Sequence, residues 1–325
     1  MQRLIAPLLA LAALVAGGYA LNIVEIKGLD RLGREALSVV GSAPTATAHA
    51  GGAASESIRI ATFNIQVFGT TKADKPHVME ILSQVIRRYD IVAIQEIRSL
   101  DQTVLPRLVD LVNADGRRYD FVLGPRLGRT SSKEQYAFVY NTASIELDAS
   151  AVYTVDDPDD LLHRPPLVAG FRARGPPAEQ AFTFTLVNIH TDPDEVADEL
   201  NVLDDVFRAV RRDGRDEDDV ILLGDLNAAD NRLGELGEIA GLVTAVPGQP
   251  TNTRGNKQYD HVLFDSRATA EFTGRAGVLN LMSEFGLSLD EALEVSDHLP
   301  VWAEFSVYEG GRPSRLAQQP SAAVQ

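Results

Sequence analysis

The chain has 325 residues, of which 45% are hydrophobic and none is cysteine, and its formal net charge is −16 with a pI near 4.8. This length and hydrophobic content suffice for one large α/β domain, and the lack of cysteine excludes disulfides. The acidic balance argues against nucleic-acid binding through a broad basic surface, so a polyanionic substrate must be met by individual arginines or by a metal ion.

The first segment, residues 1–21, predicts export. Arg3 precedes an apolar stretch that ends in small residues typical of a signal-peptidase site. The same stretch is close to the roughly 20 apolar residues that span a bilayer. The segment is therefore either a cleaved signal peptide or an uncleaved membrane anchor. Both alternatives place the protein outside the cytoplasm, as a secreted, periplasmic or membrane-anchored protein.

Composition divides the rest of the chain. Residues 22–57 predict a flexible linker: a weak helical pattern at 22–40 is followed at 41–57 by a stretch of Gly, Ala, Ser, Thr and Pro with almost no large side chains. Residues 58–307 carry regular apolar runs and predict a single folded domain. Residues 308–325 return to Gly, Pro, Ser and Gln without periodicity and predict a disordered tail.

Within the domain, extended apolar runs alternate with helical patterns. Strands are predicted near 58–65, 90–96, 119–124, 135–141, 181–190, 219–225, 259–264 and 300–307, and helices near 75–88, 101–114 and 194–211. This order predicts a layered α/β domain with mixed sheets. The acidic run at 213–219 is expected to be a solvated loop.

Polar residues stand at the ends of several predicted strands. The clearest case is the apolar run at 220–223, which ends in Gly-Asp-Leu-Asn and delivers Asp225 and Asn227 to the rim of a buried strand. Other polar residues that end or open such runs are Asn64, Glu96, His190, Asp297 and His298. A sheet that gathers these ends would converge oxygen ligands suited to Mg²⁺, Mn²⁺ or Ca²⁺ rather than zinc. The pattern indicates phosphoester chemistry.

Seven short sequence motifs occur in an order that resembles a known protein family. They are RIATFNIQVFG at 59–69, IQEIR at 94–98, KEQY at 133–136, NIH at 188–190, GDLN at 224–227, YD at 259–260 and SDHLP at 296–300. In this order they resemble the endonuclease/exonuclease/phosphatase superfamily, and most closely its deoxyribonuclease I branch. The resemblance implies a four-layer α/β sandwich, with two central mixed β-sheets flanked by helices, and a metal-dependent endonuclease that cleaves DNA with little sequence preference.

The resemblance also implies roles for single residues. The metal ligands would be Glu96 as the main carboxylate, with Asn64, Asp297 and Asp225. Two carboxylate–histidine pairs, His298 with Asp260 and His190 with Glu134, would flank the scissile phosphate. A histidine near pKa ~6.5 exchanges protons at working pH, and a paired carboxylate fixes its tautomer. Which histidine acts as base and which as acid stays open.

Asp225 and Asn227 would orient the attacking water and the phosphate oxygens. Mg²⁺ is the expected cofactor, Mn²⁺ is an alternative, and Ca²⁺ is a weaker expectation that rests on the acidic residues at 156–160.

Two arginines are the clues to substrate. Arg98 matches an arginine that enters the DNA minor groove in the related enzymes, and Arg164 matches one that contacts phosphate; a guanidinium suits both tasks. Gln66 and Ser132 depart from the family pattern, because they replace residues that contact the DNA backbone and a sugar. The expected partner is DNA, bound by a monomer that a membrane tether would hold if the anchor is retained.

Two other functions compete with a DNA endonuclease. One keeps the fold and the metal but acts on phospholipid, in the manner of sphingomyelinases, or on inositol phosphates. The other is a non-catalytic binding module on a membrane tether, and it has no need for both carboxylate–histidine pairs.

Overall fold

The computed structural model describes residues 56–130 and 133–311. The predicted signal peptide or anchor, nearly all of the linker, Ser132 and most of the predicted tail lie outside these residues. The described chain forms the strands β1 Ser57–Phe68, β2 Ile91–Ile97, β3 Tyr119–Leu123, β4 Gln135–Asn141, β5 Ile145–Thr154, β6 Leu167–Ala173, β7 Thr183–His190, β8 Val220–Asp225, β9 Leu242–Thr244, β10 Asp260–Asp265, β11 Phe272–Val278 and β12 Val301–Ser306. Its helices are α1 Thr70–Ala73, α2 Pro76–Ile86, α3 Val104–Val112, α4 Val196–Arg211, α5 Gly234–Gly237, α6 Leu281–Phe285 and α7 Leu289–Val295.

The strands form two six-stranded sheets. The first has the order β11-β12-β1-β2-β4-β3 and the second the order β5-β6-β7-β8-β10-β9. Each sheet is mixed, because β1 and β2 run parallel in the first and β7 and β8 run parallel in the second, whereas the other pairs are antiparallel. Every residue of β2 and β8 is buried, as is typical of central strands covered on both faces.

The two sheets pack face to face, with helices outside. Aromatic rings fill the space between the sheets, including Phe138, Phe171, Phe184, Phe264 and Phe305. Helices α2, α3 and α7 cover the outer face of the first sheet, and α4 covers the outer face of the second. The predicted four-layer α/β sandwich is confirmed.

The elements that the sequence did not predict lie mostly at the edges. Strands β5 and β11 are the outermost strands of their sheets and keep few buried side chains, so they lack a long apolar run. The sequence also did not predict helix α7. Its first turn carries a capping box formed by Ser288 and Glu291, which the Ser-x-x-Glu spacing in the sequence indicates. Among the described residues, none of the helices combines the length and apolar character needed to cross a membrane.

Two polar segments contain more ordered contacts than the sequence indicates. Asp219 is only 1% exposed, so the acidic run at 213–219 is not wholly a solvated loop. Tyr308 packs against the core between the sheets and Glu309 accepts a hydrogen bond from the backbone N–H of Thr183, so ordered contacts continue past residue 307. Both differences depend on contacts between segments far apart in the chain.

Candidate active site

The polar strand ends meet at one edge of the sandwich. His190 and Asp225 are the last residues of the parallel strands β7 and β8, and they lie opposite each other in register. Asp260 opens the antiparallel strand β10 and lies opposite Asp225. His298 shortly precedes β12, which is antiparallel to β1. An antiparallel strand begins where its neighbour ends, so these topologies bring the side chains to the same edge.

Asp225 lies at the centre of this group. Its Oδ2 atom accepts a hydrogen bond from Asn64 Nδ2 at 3.0 Å and lies 3.5 Å from the Nε2 atoms of both His190 and His298. Burial raises the pKa of Asp225, but the charges of the two histidines outweigh burial and hold it below its usual value. Asp225 is therefore ionised at neutral pH and links the two histidines.

Each histidine is held by a second carboxylate. His298 Nδ1 lies 2.9 Å from Asp260 Oδ2, and His190 Nδ1 lies 2.7 Å from Glu134 Oε1. Burial opposes protonation of His298, yet the carboxylates of Asp260 and Asp225 raise its pKa to about 11. Burial likewise opposes protonation of His190, but Glu134 outweighs it and raises the pKa of this ring above its ordinary value. Both rings keep Nε2 toward the pocket as a proton donor.

Strained backbone shapes the neighbouring edge of the first sheet. The β1–β2 register shifts between Asn64 and Phe68, and Gln66, Val67 and Glu96 have φ values of 47°, 50° and 61°. Such conformations cost about 1–3 kcal/mol each in ordinary residues. Two hydrogen bonds oppose this cost: the N–H of Gln66 donates to Asn64 Oδ1 and the N–H of Val67 donates to Glu96 Oε2, both at 2.8 Å. The bulge thus fixes the carboxylate of Glu96.

The Gly-Asp-Leu-Asn turn needs its glycine. Gly224 has a φ of 150° and lies opposite Ile189, whose carbonyl oxygen would stand 1.8 Å from a Cβ atom at this position. Beyond it, Asn227 has a φ of 49°, and its N–H donates to Asp225 Oδ1 at 3.0 Å. Its side-chain amide donates to the carbonyl of Thr191. The close approach of β7 and β8 therefore places Asp225 and Asn227.

The oxygen atoms around Asn64 fit a hard divalent cation. Asn64 Nδ2 donates to Glu96 Oε1 at 3.1 Å as well as to Asp225, so the two carboxylates face the same amide. Asp297 adds a third carboxylate, whose Oδ1 lies 3.8 Å from His298 Nε2 and has no hydrogen-bond partner. Carboxylate and amide oxygens are the donors that Mg²⁺ and Ca²⁺ prefer.

Arg98 turns toward the carboxylates. Its Nη2 atom lies 3.0 Å from Glu96 Oε2 and 3.5 Å from Glu134 Oε2, and 27% of its side chain remains exposed. The guanidinium therefore borders the pocket and neutralises the acids there.

Arg164, expected to contact phosphate, is buried next to His190. Only 2% of the residue is exposed, and its Nε and Nη2 atoms donate to the carbonyl of His190 at 3.1 and 3.0 Å. Its Nε also lies 3.4 Å from Glu134 Oε1. The buried guanidinium thus contacts both the backbone of His190 and the carboxylate of Glu134, and so helps to hold this pair in place.

Two of the acids at 156–160 form local contacts. Both carboxylate oxygens of Asp157 accept backbone N–H groups, from Leu161 and Leu162, and Asp160 pairs with Arg129. These contacts leave fewer oxygens for the weak calcium site that the sequence suggested.

Lys72 is a residue that sequence reasoning missed. Its ammonium donates to the carbonyls of Ile65 and Val295 at 2.6 and 2.8 Å, which joins the β1 bulge to the end of α7. Burial lowers the pKa of Lys72 to about 8, while Asp297 and Glu96 oppose that shift. No local pattern marks this lysine, because its partners come from distant segments.

A buried amide network supports the pocket from between the sheets. Gln95 Nε2 donates to Asn188 Oδ1 at 2.7 Å and to Thr62 Oγ1 at 3.0 Å. Asn188 in turn donates to the carbonyls of Ile94 and Ala137. The network links β2 and β4 of the first sheet to β7 of the second and so fixes their relative position. The sequence places both amides within family motifs but gives them no role.

Comparison with known proteins gives consistent results. The model of the Endonuclease/Exonuclease/phosphatase family matches residues 61–298. Deoxyribonuclease-1-like 1 of Cricetulus griseus is 35% identical over 263 residues, which are 77% of this chain and 84% of that protein. Deoxyribonuclease gamma of Rattus norvegicus is 30% identical over 262 residues, which are 75% of this chain and 83% of that protein.

A solved structure shares the fold. An endonuclease/exonuclease/phosphatase protein from Bacteroides vulgatus superposes with a TM-score of 0.54 at 15% identity, over 77% of this chain and 99% of that one.

Proposed function

The chain belongs to the endonuclease/exonuclease/phosphatase family, and on this basis we propose that it is a divalent-metal-dependent endonuclease that hydrolyses phosphodiester bonds of DNA with little sequence preference. The observation that carries the proposal is the pair of histidines whose Nε2 atoms face one carboxylate oxygen of Asp225 at 3.5 Å each. The deoxyribonuclease names of the relatives support DNA as the substrate.

The histidines supply charge and a proton. Asp260 and Glu134 hold the Nδ1 atoms of His298 and His190, so each Nε2 N–H is free to donate to a phosphate oxygen. The pKa of His298, raised to about 11, keeps this ring protonated near neutrality in the free protein, and the raised pKa of His190 favours its protonated form. A protonated ring suits stabilisation of the charged phosphate and proton transfer to the leaving oxygen.

Asp225 and Asn227 would orient the water and the phosphate. Asp225 stays ionised and accepts hydrogen bonds, so a water bound to it would be polarised toward phosphorus. Asn227 is fixed by its contacts to Asp225 and Thr191. Arg164 and Gln95 act as positioning residues beneath the pocket.

The metal site is proposed at Glu96, with Asn64, Asp225 and Asp297 as further ligands. Mg²⁺ is the proposed ion, because Mg²⁺ binds through a few carboxylates and keeps several waters for substrate exchange. When bound, a divalent cation neutralises phosphate charge and lowers the pKa of bound water.

Arg98 is proposed to contact DNA. The chain carries a strong acidic excess, so local cations must attract the substrate. Arg98 borders the pocket and is partly exposed, which suits a guanidinium that meets the backbone or the minor groove. Export through residues 1–21 and a monomeric state remain predictions that accompany this function.

The test is nicking of supercoiled plasmid by residues 52–325, with Mg²⁺ or with EDTA. His298→Ala should reduce the rate by about 10²–10⁴-fold because it removes a proton donor. Arg98→Ala should raise the KM for DNA more than it lowers kcat. Arg212→Ala is the matched control. Arg212 is an exposed arginine that follows the C-terminal end of α4, the end away from the pocket.

The outcomes separate the competing functions. Plasmid binding without nicking under Mg²⁺, Mn²⁺ or added Ca²⁺ would favour a binding module. Cleavage of sphingomyelin vesicles or inositol phosphates, but not of plasmid, would move the substrate to those phosphoesters. Equal loss in Arg98→Ala and Arg212→Ala would remove Arg98 from substrate recognition.

A further inference from the structure

A second group of carboxylates lies at the end of the sandwich away from the catalytic pocket. Asp219 immediately precedes β8, whose other end is Asp225, and six strand residues separate ends by about 20 Å. Glu271 immediately precedes β11, and Glu309 follows β12. The ligand atoms of Asp219, Glu271 and Glu309 all lie within 4.8 Å of one another. Segments from both sheets therefore present acids to one point.

Buried oxygens in this group have no partner. Asp219 and Glu271 are 1% and 2% exposed, yet Asp219 Oδ1 and Glu271 Oε2 form no hydrogen bond. Other oxygens are used: Glu271 Oε1 accepts the N–H of Gly310, and Glu309 Oε2 accepts the N–H of Thr183. A buried carboxylate oxygen without a donor is costly, so these two atoms point to a missing ligand.

The local charges have one sign. Burial and the carboxylates of Glu271, Glu217 and Glu309 raise the pKa of Asp219 to about 8, against an opposite effect of the Thr269 hydroxyl. In the described parts of the chain, no arginine or lysine forms an ion pair with Asp219, Glu271 or Glu309. Arg211, which lies 3.9 Å from Asp218, bonds more closely to Asp265.

We propose that Asp219, Glu271 and Glu309 bind a divalent cation, Ca²⁺ by preference, which fastens the segment after β12 to the starts of β8 and β11. Ca²⁺ accepts six to eight oxygens in flexible geometry, whereas Mg²⁺ requires a stricter octahedron. Glu309 is exposed, so water can reach the ion and complete its shell. The cation neutralises acids that otherwise repel one another. This site is structural and separate from the catalytic pocket.

Thermal unfolding of the full chain tests the proposal, with metal-stripped protein titrated with CaCl₂. Glu96→Gln removes the main proposed ligand of the active site, so it isolates the distal site. Calcium at about 100 times its Kd should raise the Tm by on the order of 5 °C in the wild type and in Glu96→Gln. Calorimetry of Glu96→Gln should show one calcium per chain.

Variants of the cluster should lose this response. In the Glu96→Gln background, adding Glu309→Gln or Glu271→Gln should abolish the calcium-dependent rise in Tm. Glu309→Gln alters an exposed side chain, so it should keep the fold even if Glu271→Gln does not. In EDTA both should melt above the wild type, because a like charge has been removed. Glu238→Gln, an exposed acid near α5, is the matched control and should behave as wild type.

Two results would overturn the proposal. A calcium response that disappears in Glu96→Gln but persists in Glu309→Gln and Glu271→Gln would place the only stabilising ion in the active site. A wild type that ignores Ca²⁺, Mg²⁺ and Mn²⁺, yet gains the same stability when the pH falls from about 8 to about 6, would show that protons rather than a cation neutralise the cluster.

Discussion

Replacement of Lys72 by Met tests how the segments that carry the proposed metal ligands are held together. The ammonium of Lys72 donates to the carbonyls of Ile65 and Val295, which directly flank the segments that carry Asn64 and Asp297. Met has a similar length and keeps the packing of the stem, but it cannot donate. Both carbonyls would then lose their charged partner, and the bulge of β1 would be joined to α7 less firmly.

The magnitude follows from two opposing effects. Two hydrogen bonds from a charged donor contribute roughly 1.5–3 kcal/mol each. The fall of the Lys72 pKa to about 8 reflects burial that costs roughly 3 kcal/mol, at 1.36 kcal/mol per pKa unit. The net loss in Lys72→Met is therefore about 2 kcal/mol, which corresponds to roughly 4–8 °C in Tm for a domain of about 250 residues. Misplaced ligands should also lower kcat by about 10–100-fold.

Urea unfolding and plasmid nicking measure these two effects. Lys75→Met is the matched control, because Lys75 forms an exposed ion pair with Glu294 at 3.5 Å that should contribute under about 1 kcal/mol. If Lys72→Met unfolds at the same urea concentration as wild type, the two hydrogen bonds contribute no net stability. If it is destabilised but nicks DNA at the wild-type rate, Lys72 does not position the catalytic groups.

Three further outcomes are expected. Gly224→Ala should lose more than about 4 kcal/mol of stability or fail to fold, because its Cβ would overlap the carbonyl of Ile189; near-wild-type urea unfolding would contradict this close approach. Asn188→Leu should lose about 3–5 kcal/mol in the same assay, since it removes the side-chain hydrogen bonds to the carbonyls of Ile94 and Ala137 and one hydrogen bond of Gln95, and a loss under about 1 kcal/mol would show that the amide network is not stabilising. Because the pKa of His298 rises from 6.5 to about 11 on folding, its contribution is complete below pH 6.5 and is lost toward pH 11. The stability of wild type relative to His298→Gln should therefore fall between about pH 7 and pH 10, and a constant difference would refute the raised pKa.

The central strands and the types of the proposed catalytic residues follow from local sequence. Continuous apolar runs such as residues 220–223 indicate strands that are covered on both faces, and the polar residues that end them sit at one edge of a sheet. The Gly-Asp-Leu-Asn turn and the Ser-Asp-His-Leu-Pro motif therefore mark Asp225 and His298 from the order of residues alone. Edge strands such as β11 give no such signal, because an exposed strand has no need for an apolar run.

Only the tertiary structure decides the direction of individual side chains and the contacts between distant segments. Glu96 reaches the pocket only because a shifted register and a φ of 61° turn it there, and Arg164 is buried with its guanidinium bonded to the carbonyl of His190. Lys72 and the cluster of Asp219, Glu271 and Glu309 are likewise assembled from segments far apart in the chain. Periodicity reports the local conformation and burial of one segment, whereas these arrangements depend on how two sheets pack against each other.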